Sequence, residues 1–352
     1  MNASSALLRV PFGSRGEQDT RALVRLQQAM YSTHVLRTLQ QAMPLLVPEE
    51  VEVAVGLISR LVLGSNHFAQ QYVQEGGLEP PVVKELLGPM RSAVLLTDGL
   101  LVLCQLARTA GPEQAGFAGL RSLAVCERLP SLLQHADPGV RAKVCNLVGN
   151  LCKYSDIFYP QMLKLGLLPL IVQRCADPDG SVRKFACFAV GNAGFHSATL
   201  YGHLAPAVPL LVANLGDADA KTRANAAGAL GNLARNGSRL CMEIVGVGAL
   251  AALLDVACLP LATHAAAHST DDLSPARTAL FSLGNLASHT QCLDALHSLD
   301  LAGALASLVG VGDATICKYA ERLMQKLSTA PAAQEGGSTP RPVRRSGRAI
   351  CS

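Results

Sequence analysis

The sequence predicts an all-α solenoid, a fold in which helical repeats stack on one another, from three observations. The chain has 352 residues, of which 49% are hydrophobic and only 16% are charged, so it can bury a large aliphatic core. A Gly-Asn pair recurs with its asparagine at positions 150, 192, 232 and 285. Around each pair, apolar residues follow the i, i+3, i+4, i+7 spacing of a helix with one buried face. This recurrence favours a stack of helical units over unrelated globular domains.

Each unit has the same internal order. An acidic turn precedes the pair in three units, as "ADPGVR" from residue 136, "ADPDGSVR" from 176 and "GDADAKTR" from 216. Its aspartate is placed to cap the following helix. A glycine introduces another apolar run at Gly77, Gly166, Gly248 and Gly303. The unit is therefore predicted to hold a short helix, a second helix and a long third helix. This order is typical of armadillo repeats, with two-helix HEAT repeats as the alternative.

Weaker copies of the unit extend the array at both ends, around Arg60, Gln105 and Gln325. The prediction is a right-handed superhelix of about seven repeats. It spans residues 19–328, after an irregular N-terminal segment at 1–18 and with an inserted loop near 259–275. Residues 329–352 are rich in Pro, Gly, Ser and Arg and are predicted to be a disordered basic tail. Thr339 and Ser346 in this tail are candidate phosphosites, and an unmodified tail is the alternative.

The glycine of each pair lies inside a predicted helix, where it is about 0.8–1.0 kcal/mol less favourable than alanine. Gly149, Gly191, Gly231 and Gly284 occupy one position beside the buried stripe of their helices. We expect the missing Cβ to let the adjacent helix approach closely, and the tighter packing of the two helices to offset this penalty.

A second stripe on the predicted third helices is the candidate binding site. In an armadillo superhelix these helices line the concave surface, where asparagine amides can pair with the backbone of an extended peptide and phenylalanines can form apolar pockets. The candidate groove residues are Lys143, Asn146, Asn150, Tyr154, Phe185, Phe188, Asn192, His196, Asn225, Asn232, Asn236, Phe281 and Asn285. The alternative is that the asparagines only bond neighbouring repeats. The chain has no Trp, which the nuclear-import receptors of this fold pair with each groove asparagine.

No pattern of catalytic chemistry is evident. The sequence contains no Walker A loop, G-x-S-x-G elbow or kinase H-R-D and D-F-G motif, and "HAAAH" at 264–268 lacks a third metal ligand. We therefore expect no enzyme activity, no cofactor and no metal. The formal net charge of +4 comes largely from the tail, which argues against nucleic acid as a partner. The apolar run at 246–267 is interrupted by Asp255 and Pro260, so no membrane span is expected.

Eleven cysteines without a signal peptide favour a reducing compartment, so the location is predicted to be cytoplasmic, with the cilium or nucleus as alternatives. In isolation the chain is expected to be a monomer.

The run "VCNLVGNLCKYSDIFYPQMLKLGLLPLIVQRCADPDGSVRKFACFAVGNAGFHS" at 144–197 resembles the C-terminal armadillo-like region of the Fused family of serine/threonine kinases. This resemblance implies a non-catalytic regulatory scaffold in Hedgehog signalling and motile cilium assembly. It also implies protein partners, namely kinesin-like proteins, the suppressor of Fused and Gli-type transcription factors. No kinase motif matches, so no catalytic residue is carried over. A nuclear transport or nucleic-acid adaptor that uses the basic tail is the alternative function.

Overall fold

The computed structural model describes residues 16–109, 115–263, 272–299 and 301–329. All regular elements in these ranges are helices, and no residue in them lies in a strand. The chain divides into two compact units, Met1–Leu167 and Leu168–Ser352. The prediction of an all-α fold is thus confirmed.

The first unit is built on three long helices, α3, α6 and α10, of which α6 packs against both of the others. Leu61, Leu100 and Leu147, one from each of these helices, are fully buried. The helices of this unit are α1 (Gly16–Ser32), α2 (Val35–Ala42), α3 (Pro48–Gly64), α4 (Asn66–Gln74), α5 (Pro80–Leu87), α6 (Ala93–Thr109), α7 (Ala115–Leu120), α8 (Leu123–Cys126), α9 (Leu129–Leu132), α10 (Pro138–Leu151) and α11 (Tyr159–Lys164), with a 3₁₀ helix at Met43–Leu45.

The second unit is built on four long helices, α13, α16, α19 and α22, each of which packs against the next. These and the three long helices of the first unit are the predicted third helices. The helices of this unit are α12 (Leu167–Arg174), which begins at the boundary, α13 (Gly180–Ala193), α14 (Tyr201–Leu204), α15 (Val208–Asn214), α16 (Ala220–Asn232), α17 (Cys241–Gly246), α18 (Ala249–Thr263), α19 (Ser274–Leu286), α20 (Thr290–His297), α21 (Ala302–Val309) and α22 (Ala314–Ser328), with 3₁₀ helices at Ala198–Leu200 and Ala205–Ala207.

The acidic turns start the third helices as predicted. Asp137, Asp179 and Asp219 are the N-cap residues of α10, α13 and α16, and each carboxylate accepts a backbone N–H of its helix at 3.0–3.1 Å. The arginine that follows each turn donates hydrogen bonds to the backbone carbonyls of that turn. In α13, for example, Nη1 of Arg183 donates to the carbonyls of Asp177 and Pro178 at 2.9 and 3.0 Å. Arg141 and Arg223 make the same pair of bonds, so this turn is a repeated structural unit.

The glycine breaks agree with the prediction in part. Gly166 and Gly248 have φ of 62° and 73°, a left-handed conformation that lets the chain leave one helix and start the next. Near Gly77 the left-handed residue is instead its neighbour Gly76, with φ of 86°. Gly303 lies inside α21, which begins at Ala302, so the prediction of a break there is wrong.

The mid-helix glycines permit close packing at two positions. A Cβ at Gly191 would lie 3.2 Å from Cα of Ala229, and one at Gly231 would lie 2.4 Å from Oγ and 2.8 Å from Cα of Ser282. The expectation is confirmed there. It is wrong at Gly284, where a Cβ would meet no atom within 4 Å. The same position in the repeat therefore faces different helix separations.

The predicted boundaries can be placed on the helices. The first described helix begins at Gly16 and the last ends at Ser328. Residues 259–263 of the predicted inserted loop continue α18, and α19 has begun by Ser274. The "HAAAH" segment and the tail with Thr339 and Ser346 lie outside the described residues.

A search of the described helices for membrane spans finds none that suffices alone. Among these helices only the pair α20 and α21 is, taken together, long and apolar enough for a membrane span, and the two helices are bent by 93° relative to each other.

Candidate functional site on the third helices

The asparagines of α16 form hydrogen bonds to the preceding third helix. Asn225 donates Nδ2 to the Lys184 carbonyl at 3.0 Å, and Asn232 donates Nδ2 to the Gly191 carbonyl at 2.9 Å. Both side chains are buried. These two amides bond neighbouring repeats, which is the structural alternative considered for the row.

Five of the predicted groove residues are buried rather than presented to a partner, namely Asn150, Phe188, Asn192, Asn225 and Asn232. Asn192 is fully buried. Asn150 donates Nδ2 to Oδ1 of Asn146 in its own helix at 2.9 Å. The expectation of an open amide row is therefore corrected. Within the second unit, Asn225 and Asn232 lie where α16 meets α13, because small neighbours such as Gly191 let those helices approach.

Four residues after the asparagine, two predicted groove residues and His289 bond carbonyls at the end of the preceding third helix. Tyr154 donates its hydroxyl to the Arg108 carbonyl at 2.9 Å, and Asn236 donates Nδ2 to the Phe195 carbonyl at 2.8 Å. Nε2 of His289 bonds the Ala234 carbonyl. The last carbonyls of a helix lack partners within it, and these side chains supply them. Tyr154 and Asn236 remain exposed all the same.

Partly exposed residues lie four or eight residues before the asparagine row, about 40–80° round the helix from it, in α10, α13 and α19, whereas both positions are buried in α16. In α13 this position holds Lys184, whose Nζ lies 5.5 Å from the ring centroid of Phe185. In α19 it holds Arg277 and Phe281, both partly exposed. Of the predicted groove residues, Lys143, Asn146, Phe185, His196, Phe281 and Asn285 retain partial exposure.

In the last repeat a lysine makes the inter-repeat bond that Asn232 makes in α16. Nζ of Lys326 donates to the Gly284 carbonyl at 2.6 Å, the bond that Asn232 makes to Gly191. Gln325, which the sequence placed at this position, is exposed. The assignment of Gln325 is therefore off by one residue. The apolar pattern of α22 does not show whether Gln325 or Lys326 aligns with the asparagines of the other repeats.

Ion pairs join the starts of successive third helices. Arg183 pairs with Asp217 at 2.8 Å, and Arg277 pairs with Asp313 at 2.6 Å. The hydrogen bond from Arg277 lowers the pKa of Asp313 to about 2. Burial raises this pKa, and the N–H groups at the start of α22 lower it further. These charged side chains therefore bond neighbouring repeats to each other.

Two buried polar residues outside the predicted set also fix the repeats. The Tyr201 hydroxyl donates to the Asn232 carbonyl at 2.7 Å and accepts the Asn236 N–H at 3.0 Å. Asn214 donates Nδ2 to the Cys175 carbonyl at 2.8 Å. Tyr201 and Asn214 lie on α14 and α15, outside the Gly-Asn pattern, and a polar residue at an otherwise apolar position is the only signal in the sequence.

The cysteine thiols are unsuited to nucleophilic chemistry. Most of the described cysteines are buried, and burial raises the pKa of Cys104 to about 12 and of Cys126 to about 11. In the described ranges no three His, Cys, Asp or Glu side chains come together as metal ligands would.

Two clefts in the described part of the chain are lined by residues outside the asparagine row. One of about 430 Å³ is lined by Tyr31, His67 and Phe68, and another of about 420 Å³ by Leu296, Leu305 and Met324. The third-helix surface is thus a candidate for an extended partner rather than for an enclosed small molecule.

Solved structures agree with the fold. The chain superposes on an engineered protein from a structural genomics programme with a TM-score of 0.75 and 19% identity, over 93% of this chain and 78% of that one. It superposes on a designed armadillo repeat protein in complex with the peptide (KR)4 with a TM-score of 0.60 and 20% identity, over 71% and 99%. Residues 180–233 match the family model described as a HEAT-like repeat. The predicted armadillo or HEAT-type α-solenoid is confirmed.

Sequence relatives are protein kinases. The chain is 33% identical over 278 residues to serine/threonine-protein kinase TIO of Arabidopsis thaliana, which covers 78% of this chain and 21% of the kinase. It is 33% identical over 245 residues to serine/threonine-protein kinase 36 of Pongo abelii, which covers 67% and 18%. The chain therefore spans about a fifth of the length of the curated relatives it matches. The resemblance is confirmed: these relatives are Fused-family kinases, and the chain is homologous to a part of them that lacks the kinase domain, consistent with their C-terminal region.

Proposed function

We propose that the chain is a non-catalytic protein-interaction scaffold, the regulatory armadillo-repeat region of a Fused-type serine/threonine kinase. One observation carries this proposal: the kinase relatives align with 67–78% of this chain through only 18–21% of their own length, and that portion is a repeat solenoid. An array of repeats presents a long surface and no enclosed site, which suits docking rather than catalysis.

The family relation supports the finer proposal, which is a role in Hedgehog signalling and motile cilium assembly. On this proposal the partners are kinesin-like proteins, the suppressor of Fused and Gli-type transcription factors, and the site of action is the cytoplasm, with the cilium or nucleus as alternatives. The designed armadillo protein that holds the peptide (KR)4 supports an extended peptide as the form of the partner.

The partner surface proposed is the exposed side of the third helices within each unit. Partly exposed rings such as Phe185 and Phe281 supply apolar contacts, and Lys143 and Asn146 supply polar ones. The buried asparagines support this surface from beneath by fixing the spacing of the helices.

Binding of purified partners to the immobilised full chain tests this function. We expect at least one of the suppressor of Fused, a Gli-type factor or a kinesin-like protein to bind with a Kd at or below about 10 μM, a range usual for regulatory contacts. The designed armadillo protein is the control surface. Binding no stronger than to that control, or an ATP-Mg²⁺-dependent rise in the melting temperature of the chain, would contradict the proposal.

The second candidate is a nuclear transport or nucleic-acid adaptor, which the four arginines between positions 341 and 348 favour. It predicts that partner binding depends on salt and vanishes when residues 331–352 are removed. Binding that survives this truncation supports the scaffold instead.

A further inference from the structure

The last two third helices, α19 and α22, form one continuous surface. Their starts are joined by the ion pair between Arg277 and Asp313, at 2.6 Å. One turn later the rings of Phe281 and Tyr319 meet, with centroids 5.7 Å apart. Near the end, Nζ of Lys326 reaches both the Gly284 carbonyl and Oγ of Ser288 at 2.6 Å. The two helices therefore run side by side in the same direction.

This surface carries positive charge that the described residues do not neutralise. Lys318 and Arg322 precede Lys326 by two turns and one turn of α22, both are exposed, and neither makes an ion pair with a described residue. Burial lowers the pKa of Lys326, and the nearby Arg322 lowers it further. The exposed Glu321 lies about 100° round the helix from Arg322 and about 60° from Lys318, and it makes no ion pair with either. The strip formed by Lys318, Arg322 and Lys326 is thus complementary in charge to carboxylates.

The same surface offers an apolar anchor and a spare hydrogen-bond donor. Phe281 and Tyr319 are partly exposed, so their joined rings can cover an apolar side chain. Nδ2 of Asn285 is buried and bonds no acceptor among the described residues, in contrast to Nδ2 of Asn232. A donor of this kind is satisfied when a ligand brings a carbonyl to it.

We propose that the α19–α22 surface binds an acidic, extended segment of a partner protein. Carboxylates of the segment pair with Lys318 and Arg322, an apolar side chain rests on Phe281 and Tyr319, and a backbone carbonyl accepts the Asn285 amide. This inference rests on the scaffold function and names the chemistry of one partner. The chain's own tail is a poor occupant because its arginines repel the strip.

Fluorescence anisotropy with the full chain tests the charge preference. The probes are the labelled peptide EDLEDLED and its matched counterpart KRLKRLKR. At low salt we expect the acidic peptide to bind at least about tenfold more tightly, and added salt to weaken it. The double variant Lys318→Glu/Arg322→Glu should lose at least about tenfold in affinity for EDLEDLED and gain affinity for KRLKRLKR. Both side chains are exposed, so the variant should keep its melting temperature.

The matched control is Lys84→Glu/Lys164→Glu, which changes the net charge equally at two exposed lysines of the first unit. It should bind EDLEDLED as the wild type does. Asn285→Ala should weaken EDLEDLED by about three- to tenfold, the range for one hydrogen bond, with an unchanged melting temperature.

Equal binding of both peptides, an equal loss in the control variant, or preferential binding of an oligothymidine over EDLEDLED would overturn the inference. If EDLEDLED fails while a purified partner protein still binds the chain, the inference fails and the scaffold function stands. If neither binds, both are wrong.

Discussion

Asn232 donates its amide hydrogen to the Gly191 carbonyl from a side chain that is only 5% exposed. Removing the side chain leaves that buried carbonyl without this donor and opens a gap between α13 and α16. We therefore expect Asn232→Ala to lower the free energy of unfolding by about 1–3 kcal/mol, measured by urea denaturation. The control is Gln325→Ala, at an exposed position, which should change it by less than about 0.5 kcal/mol. Equal losses in the two variants would show that the inter-repeat bond contributes nothing specific.

Gly231 and Gly284 occupy the same position in successive repeats but have different surroundings. A methyl group at Gly231 would collide with Cα and Oγ of Ser282, whereas one at Gly284 meets nothing within 4 Å. Gly231→Ala should therefore lower the free energy of unfolding by about 1–3 kcal/mol through overpacking. Gly284→Ala should raise it by about 0.5–1 kcal/mol, because alanine favours the helix and nothing opposes it. Thermal and urea unfolding of the two variants measure this, and a change of the same sign in both would contradict it.

Single residues also show where prediction from the sequence stops. The pattern assigned Asn192 and Asn232 to the correct helices. It predicted that both face an open groove, whereas both side chains are buried. A periodic pattern fixes the angular position of a residue on its own helix. Whether that angle faces solvent depends on how closely the next helix approaches, and this distance is set by pairs such as Gly231 and Ser282 that lie 51 residues apart.

At the scale of the helix, the turn before each third helix combines a cap with a charge. Asp313 caps α22 through the N–H groups of Thr315 and Ile316 and pairs with Arg277 of α19. Local chemistry fixes the cap, so the sequence predicts caps of this kind well. The pairing with Arg277 is not local, since the two residues come from different repeats, and no pattern in the sequence predicts it.

The pairing makes stability depend on pH at the acidic end. The pKa of Asp313 is about 2 in the folded protein, below its unfolded value of about 3.9. Its charge therefore stabilises the fold fully above about pH 5, and the contribution is lost as the pH falls toward about 2. Asp313→Asn keeps a capping side chain but removes the charge. The difference in free energy of unfolding between wild type and variant should be constant above about pH 5 and shrink below about pH 4.

Asp294→Asn is the control for this measurement, because Asp294 is exposed and pairs with no cation among the described residues. Its difference from the wild type should stay small at every pH. A difference for Asp313→Asn that grows as the pH falls would show that the carboxylate is not stabilised by Arg277.

At the scale of the whole chain, the fold class could be predicted from the sequence because each repeat of a solenoid carries the same sequence pattern. Seven copies of one helical pattern make each uncertain copy easier to recognise, as for the weak copies around Arg60 and Gln105. The division into two units has no such signal. No change in composition marks Leu167, and the left-handed glycine before α12, Gly166, resembles Gly248 inside the second unit.

The two units imply that damage in one is felt mainly there, because in a repeat array each helix contacts its neighbours rather than a common core. Leu230 of α16 is fully buried, so Leu230→Ala should lower local stability by about 2–5 kcal/mol. Hydrogen exchange followed by mass spectrometry should show faster exchange in α13, α16 and α19, with α3 and α6 unchanged. Leu61→Ala, at a fully buried position of α3, should give the reverse pattern. Equal acceleration in both units with either variant would mean that the chain unfolds as one cooperative body, and the nearest-neighbour description would be wrong.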